Sequence, residues 1–149
     1  MRRAAQAATA GFGALMVYQA VLAAGAPLGE AAWGGSSSEL TTGQRIGSAM
    51  SVIFFALAIG VVRRRAAGKT SRRYRWGTWA LVAAMALAAL MNAASGSAWE
   101  NYLLAPVALA LAALCAVVAH QPRALQEGLS QGRSTQQVLG SSEHGDCIT

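Results

Sequence analysis

Long uncharged apolar runs divide the chain into segments of membrane-spanning length. Ile46 to Val62 holds 17 residues without a charge, Gly77 to Ala98 holds 22, and Leu103 to Ala119 holds 17. A fourth run, Ala4 to Ala26, is also uncharged, although two glutamines interrupt it. A helix needs about 20 residues to cross the hydrocarbon core, with roughly 17 as the lower limit. The pattern therefore predicts four transmembrane helices.

These runs predict an all-α protein, a four-helix transmembrane bundle with both termini on the cytoplasmic side. The expected spans cover about residues 4–26, 45–62, 77–95 and 100–119, within one domain of residues 1–120. The remaining residues, 121–149, are rich in Gln, Ser and Gly and have few large apolar side chains. Such a segment cannot bury enough apolar surface to fold alone, so we predict a disordered tail.

The first run has a second interpretation, as a cleaved signal peptide. Met1-Arg2-Arg3 precedes an apolar stretch, and Ala24-Gly25-Ala26 offers a small-x-small cleavage site. The run is nevertheless long enough to span, and Pro27 would directly follow the cut, where we expect it to hinder processing. We therefore expect an uncleaved span. Charge does not separate the two alternatives, because cleavage would leave the other spans facing the same way.

Charge sets the orientation of the predicted bundle. Seven of the twelve Lys and Arg residues lie in one stretch, Arg63 to Arg75, between the second and third spans. With the amino terminus inside, the cytoplasmic side carries those seven, two at the amino terminus and two in the tail, whereas the outer side carries Arg45 alone. Positive residues concentrate on the cytoplasmic side of membrane proteins. The sequence therefore predicts a multi-pass protein of the inner (plasma) membrane with both termini inside.

Composition supports a membrane protein over a nucleic-acid-binding one. The chain is 54% hydrophobic and 12% charged, whereas about a quarter of the residues in soluble proteins are charged. A net charge of +6 could attract nucleic acid, with Tyr74 stacking among the arginines. However, Tyr74, Trp76 and Trp79 suit the membrane interface. We expect anionic lipid headgroups as partners of Arg63–Arg75, at about 1 kcal/mol per basic residue, and no nucleic acid.

Local motifs predict where the second helix begins and how it packs. Thr41 with Gln44 three residues later forms a capping-box pattern, so the helix should begin near Thr42. Gly43 and Gly47 then lie on one face, and small residues at this spacing let two helices approach closely in lipid. This face predicts self-association into a homo-oligomer.

The fourth helix carries a similar start signal and a proline. Ser97 with Glu100 is a second capping-box pattern, which places the start near Ala98. Pro106 would then lie inside the helix and kink it. If the helix begins near Asn101 instead, Pro106 falls close to the first turn and is tolerated.

Several kinds of chemistry lack a sequence signal. No His, Asp, Glu, Lys or Arg lies within the core of a predicted span, whereas proton relays and coupled transporters usually need such a residue. His120 and His144 are too few and too far apart to build a metal site with the two cysteines. No Gly-rich phosphate loop or CxxC pair is present. We therefore expect no catalysis, no cofactor and no metal.

The best candidate site lies on the predicted outer face. A carboxylate beside an indole can hold a cation, and an arginine–carboxylate pair can clamp two loops together. The alternative is purely structural, with Glu100 as a helix cap, the tryptophans as interface anchors and Arg45 in a surface ion pair. The candidate residues are Glu30, Trp33, Arg45, Asn92, Trp99 and Glu100.

Gln19 and Asn92 both fall in the outer third of their spans. Such side chains can hydrogen-bond across helices in lipid, typically for about 1 kcal/mol or less. One interpretation is a packing contact between the first and third helices. The other is the polar lining of a shallow pocket open to the outside.

The outer-loop sequence GAPLGEAAWGG at residues 25–35, with MNAAS at residues 91–95 and Trp99-Glu100, resembles small bacterial four-span membrane proteins of unassigned function. The resemblance covers about residues 10–119. It implies the same fold and membrane location, and it brings no catalytic residue.

Two functions remain open at this point. The first is a structural or accessory membrane protein without catalytic activity. The alternative is a small transporter or channel with an outward-facing polar site near Glu30, Asn92 and Glu100. A water-accessible cavity at which these three residues converge would favour the alternative.

Overall fold

The structure, a computed structural model, describes residues 2–34, 39–69 and 71–120. This part of the chain forms four α-helices and contains no strand. The predicted disordered tail, residues 121–149, lies outside the described residues. The helices are α1 (Arg2–Ala23), α2 (Thr42–Ala66), α3 (Arg72–Ala93) and α4 (Ala105–Ala119).

All four helices are long and apolar enough to cross a membrane, once the turn Glu100–Leu104 is counted with α4. Each helix also exposes large apolar side chains. Val17, Leu57, Leu90 and Leu109, one from each helix, are 61%, 66%, 69% and 61% exposed. A soluble bundle would bury such residues, whereas lipid tails solvate them. The prediction of an all-α bundle of four helices, each long and apolar enough to span a membrane, is therefore confirmed.

The bundle consists of two helical hairpins. α1 packs along α2 and α3 along α4, α1 also contacts α4, and α2 and α3 touch much less. Within the first hairpin, the rings of Phe12 and Phe55 lie 6.0 Å apart, and Ala8 is fully buried. Gly11 allows α1 to approach α4, because a methyl group there would lie 2.8 Å from Leu111 Cδ2. Small residues thus bring the helices into close contact, which is the main attraction between helices in lipid.

Chain direction gives the bundle two chemically different ends. The start of α1, the connection between α2 and α3 and the end of α4 form what we call the basic end. The α1–α2 loop and the α3–α4 connection form the loop end. Contacts join the parts of each end: Arg65 Nη2 donates to Ala119 O at 3.4 Å, and Ser97 Oγ donates to Glu30 O at 2.9 Å.

Two helices continue beyond their predicted spans into the basic stretch. α2 continues through Arg63 to Ala66, and α3 already begins at Arg72. The predicted span of residues 45–62 is thus part of a longer helix. A charged side chain does not stop a helix, because it can extend beyond the apolar layer while the backbone bonds continue.

Arginines at both ends of α2 cap the carboxyl ends of neighbouring helices. Arg45 Nε donates to Ala23 O at 3.2 Å, and its Nη2 donates to Ala24 O at 3.3 Å. At the other end, Arg65 reaches the last turn of α4 at Ala119. The final carbonyls of a helix lack intrahelical partners and carry partial negative charge, so a guanidinium stabilises them.

The predicted cap of α2 is confirmed. Gln44 N donates to Thr41 Oγ1 at 3.4 Å, and Thr41 N donates to Gln44 Oε1 at 2.9 Å. These two bonds form the reciprocal capping box, and α2 begins at Thr42 as expected.

The second predicted capping box does not form, although the helix does begin at Ala98. Ser97 Oγ donates to Glu30 O, and Ser97 N donates to Ser95 Oγ at 3.1 Å. The Glu100 carboxylate instead accepts hydrogen bonds from Gly34 N and Ser95 Oγ. The capping interpretation of Glu100 is therefore wrong.

Pro106 is accommodated by a wide turn. Residues Glu100–Leu104 are π-helical, and Ala105 N donates to Glu100 O. Pro106 follows in the first turn of α4. Because proline has no N–H and its ring crowds the carbonyl four residues earlier, a widened turn fits it better than regular α-helix. The irregularity expected near Tyr102 thus takes the form of a π turn.

Candidate ligand-binding cavity at the loop end

A cavity of about 390 Å³ lies between the two hairpins in the half of the bundle nearer the loop end. Its size falls within the roughly 300–1,000 Å³ of small-molecule sites. All four helices and the α1–α2 loop contribute to it. The lining residues are Leu15, Tyr18, Gln19, Ala32, Trp33, Ser51, Phe54, Phe55, Ala84, Met85, Ala88, Asn92, Glu100, Leu104 and Ala108.

Glu100 is the carboxylate of the cavity, and the chain fold holds it in place. The residue is only 9% exposed. Its Oε2 accepts hydrogen bonds from Gly34 N at 3.1 Å and from Ser95 Oγ. Bonds to an ionised acceptor are stronger than neutral ones. Glu100 therefore ties the α1–α2 loop to the α3–α4 connection while facing the cavity.

Gln19 contributes an acceptor without a partner. Its Oε1 atom is buried and has no hydrogen-bond partner in the described part of the chain. A buried unpaired acceptor costs about 1–3 kcal/mol. An N–H or O–H donor entering the cavity would remove that cost.

The other polar side chains on the first two helices already have partners. Tyr18 OH donates to Ala31 O at 2.8 Å, and Ser51 Oγ donates to Gly47 O at 3.0 Å. Each hydroxyl oxygen retains acceptor capacity. The polar side of the cavity is therefore rich in acceptors.

Trp33 forms part of the wall and is fixed by α2. Its ring lies on Gly47, where a methyl group would be 2.6 Å from Trp33 Cη2. Its Nε1 donates to Ser48 Oγ at 3.3 Å. The backbone of Trp33 has a φ of 53°, and Gly34 follows with a φ of 85°. A left-handed non-glycine residue is strained by about 1–3 kcal/mol, so these contacts must hold it.

The six predicted site residues separate into two groups. Trp33, Asn92 and Glu100 share the cavity. The other three, Glu30, Arg45 and Trp99, do not line it. Of the three residues whose convergence would favour a transporter or channel, Asn92 and Glu100 share the cavity and Glu30 does not.

Each residue of the second group lies elsewhere at the loop end. The side chain of Glu30 is exposed, and only its backbone oxygen receives a bond, from Ser97. Arg45 caps α1. Trp99 is 60% exposed, as an interface anchor would be.

The position of Gln19 and Asn92 decides between their two interpretations. Both side chains line the cavity, and no hydrogen bond joins them in the described structure. They are the polar lining of a pocket and not a packing bond between α1 and α3.

Sequence reasoning missed several lining residues, notably Tyr18, Ser51, Phe54 and Phe55. One signal was present, since Tyr18 and Gln19 interrupt an apolar run in its outer half. Phe54 and Phe55 gave no signal, because aromatic residues within an apolar run serve equally well against lipid or within the core.

No group of three or more His, Cys, Asp or Glu side chains that could hold a metal occurs among the described residues. Comparison with protein-family models, curated proteins and solved structures gave no match to this chain. The interpretation of the cavity therefore depends on its own residues.

Proposed function

We propose that this chain is a multi-pass protein of the inner membrane that binds a small amphipathic cation in the loop-end cavity, from the outer side of the membrane. The observation that carries this proposal is the cavity itself. It combines the Glu100 carboxylate, the unpartnered Gln19 acceptor and the Trp33 indole within an otherwise apolar space.

Charge favours a cation over an anion. Glu100 is the only ionisable group besides Tyr18 among the described lining residues, and none of them is basic. The aromatic side chains of Trp33, Phe54 and Phe55 also line the cavity, and the face of an aromatic ring attracts a cation within about 6 Å. A protonated amine would further supply the donor that Gln19 Oε1 lacks.

Shape and polarity favour a ligand with an apolar portion. The cavity extends from the polar residues near the loops to Phe55, Met85 and Ala108 in the middle of the bundle. An ammonium group near Glu100 would leave its hydrocarbon portion against these apolar side chains, where burial stabilises by about 25 cal/mol per Å².

The distribution of basic residues supports access from outside. The basic end would face the cytoplasm by the positive-inside rule, which turns the loop end and its cavity outward. A transporter or channel would use this cavity to recognise its substrate. We propose binding without catalysis, because the cavity offers a single carboxylate that already accepts two hydrogen bonds.

A thermal-shift titration of the purified full chain tests the proposal. Butylammonium is the probe, and butyrate and butanol match its length with the opposite charge or none. A ligand that binds only the folded state at 100 times its Kd stabilises by about 2.7 kcal/mol. We expect butylammonium to raise the midpoint and the two matched compounds to leave it unchanged.

Two neighbouring substitutions on α3 localise the effect. Asn92→Leu fills the cavity, whereas Met91→Leu changes a side chain that is 67% exposed on the lipid side. The shift should largely disappear in the first variant and persist in the second. Equal shifts in both variants, or equal shifts with butyrate, would refute binding in the cavity.

The competing proposal is the structural or accessory role with self-association. The Gly43–Gly47 face gives it partial support, since a methyl group on Gly43 would meet no atom within 4 Å. Gly47, however, is covered by the chain's own Trp33. A copurifying partner, together with the absence of any cation-dependent shift, would favour this role.

A further inference from the structure

A second cavity opens at the basic end, between the start of α1 and the end of α2. It measures about 500 Å³, again within the roughly 300–1,000 Å³ of ligand sites. α1 contributes Arg2, Gln6 and Thr9, and α2 contributes Arg63, while alanines of both helices form the rest of the lining. We call it the arginine groove.

Three consecutive arginines of α2 have different surroundings, and only the first lines this groove. Arg65 is 4% exposed and bonds to Ala119 O, and Arg64 Nη1 donates to Tyr74 OH at 3.1 Å. Arg63 is exposed and lines the groove, and its guanidinium has no hydrogen-bond partner among the described residues. Arg2, on the α1 wall of the groove, is also exposed, and its guanidinium likewise has no hydrogen-bond partner among the described residues.

The charge of the groove is not compensated within the described structure. No carboxylate lines it. The three acidic residues of the described part, Glu30, Glu39 and Glu100, belong to the loop end. Two guanidinium groups on facing walls match an oxyanion, because each presents a planar fork of donors that suits phosphate.

The walls indicate which phosphate would occupy the groove. Ala5, Ala10 and Ala66 provide small apolar surfaces beside the two arginines. The groove also lies where the spans leave the apolar layer, which is the depth of lipid headgroups. A soluble phosphate would use only the arginines, whereas a phospholipid would use the alanine walls as well.

We propose that the arginine groove binds one anionic phospholipid, with its phosphate between Arg2 and Arg63 and its hydrocarbon portion along the alanines. This differs from diffuse attraction of headgroups by all the basic residues of that end, because it depends on two particular arginines. It is also independent of cation binding at the opposite end of the bundle.

Native mass spectrometry of the full chain tests this site. The protein is equilibrated in detergent with a mixture of phosphatidylglycerol and phosphatidylcholine, and retained lipid is counted. We expect one phosphatidylglycerol per chain. The double variant Arg2→Gln/Arg63→Gln should retain it at least about tenfold less well, since one charge-assisted bond contributes this much.

The double variant Arg72→Gln/Arg73→Gln is the matched control, because it removes the same charge from two exposed residues of the basic end that do not line the groove. It should retain the lipid like the unaltered chain. Because Arg2 and Arg63 are both exposed, Arg2→Gln/Arg63→Gln should keep the unaltered thermal midpoint, which separates lost binding from lost folding.

Three results would overturn the proposal. If Arg72→Gln/Arg73→Gln loses as much lipid as Arg2→Gln/Arg63→Gln, the attraction is diffuse. If inorganic phosphate at equal concentration displaces the lipid, the occupant is a soluble anion. If Arg2→Gln/Arg63→Gln dissociates a dimer while lipid retention stays unchanged, the groove receives a second copy of the chain.

Discussion

At the scale of single residues, Glu100 has two roles that the sequence could not separate. It holds the two loop-end connections together through Gly34 and Ser95, and it gives the cavity its negative charge. A carboxylate that is only 9% exposed is expensive to bury unless hydrogen bonds compensate, and here they do.

Removing this carboxylate should destabilise the bundle. Glu100→Ala leaves Gly34 N and Ser95 Oγ without their acceptor, so we expect a loss of about 1.5–3 kcal/mol in the free energy of unfolding. Glu30→Ala is the control, because its side chain is exposed and should change stability by less than about 0.5 kcal/mol. Unfolding of both variants in detergent measures the difference. Equal losses would mean that Glu100 does not hold the loops.

Gly47 provides a second test at the residue scale. A methyl group there would lie 2.6 Å from Trp33 Cη2, so Gly47→Ala should displace the indole and cost about 1–3 kcal/mol. Gly43→Ala, four residues earlier on the same helix, meets no atom within 4 Å and should be neutral or slightly stabilising.

Fluorescence of Trp33, measured with the other three tryptophans replaced by Phe, monitors the displacement. The emission should shift in Gly47→Ala and stay constant in Gly43→Ala. A constant emission in both variants would contradict the docking of Trp33 on Gly47.

At the scale of elements, α2 binds the carboxyl ends of α1 and α4 through arginines near its own two ends. Arg45 caps α1 at the loop end, and Arg65 caps α4 at the basic end. The two caps differ in burial, since Arg45 is exposed while Arg65 is 4% exposed.

This difference predicts unequal costs of substitution. Arg65→Gln should lower the free energy of unfolding by about 1.5–3 kcal/mol, because a buried charged donor and its packing are lost. Arg45→Gln should cost only about 0.3–1 kcal/mol, the usual value for an exposed cation at a helix carboxyl end. Denaturant unfolding of both variants provides the comparison. A larger loss in the free energy of unfolding for Arg45→Gln than for Arg65→Gln would contradict the conclusion that Arg65 contributes the stronger cap.

The sequence predicted the helices better than it predicted the cavity. Apolar run length decides whether a helix spans, so four helices were predictable, and so was the cap at Thr41. The helix ends near Arg63 and Arg72 were not predictable from the sequence. Composition marks where the apolar layer ends, whereas backbone hydrogen bonding continues beyond it. The partners of Glu100 were not predictable either, since Gly34 lies 66 residues away.

At the scale of the whole molecule, the two ends of the bundle divide its chemistry. The basic end holds the arginine groove, and the loop end holds the cavity with Glu100. Weak contact between α2 and α3 leaves room between the hairpins for that cavity. The concentration of Lys and Arg at one end also favours a single orientation in the membrane.

Reporter fusions check this orientation. A reporter at residue 38 should be active only outside the cell, and one at residue 69 only in the cytoplasm, because a distribution of eleven basic residues against one favours that orientation. An outside signal at Lys69 would reverse the direction in which the cavity opens.

The central claim is that the loop-end cavity is open to water from outside and selects cations. Cysteine accessibility tests it most directly, in a Cys147→Ser background that leaves only the buried Cys115. Ala88→Cys places a thiol in the cavity wall, and Leu87→Cys places one on the adjacent lipid-facing position, which is 60% exposed.

Intact cells are treated with small membrane-impermeant thiosulfonate reagents, one cationic and one anionic. Only the hydrated thiolate reacts, so we expect Ala88→Cys to be modified from outside, faster by the cationic reagent, and Leu87→Cys to be modified by neither. If Ala88→Cys is as inert as Leu87→Cys, or if both reagents modify it equally fast, the outward-facing cation site does not exist.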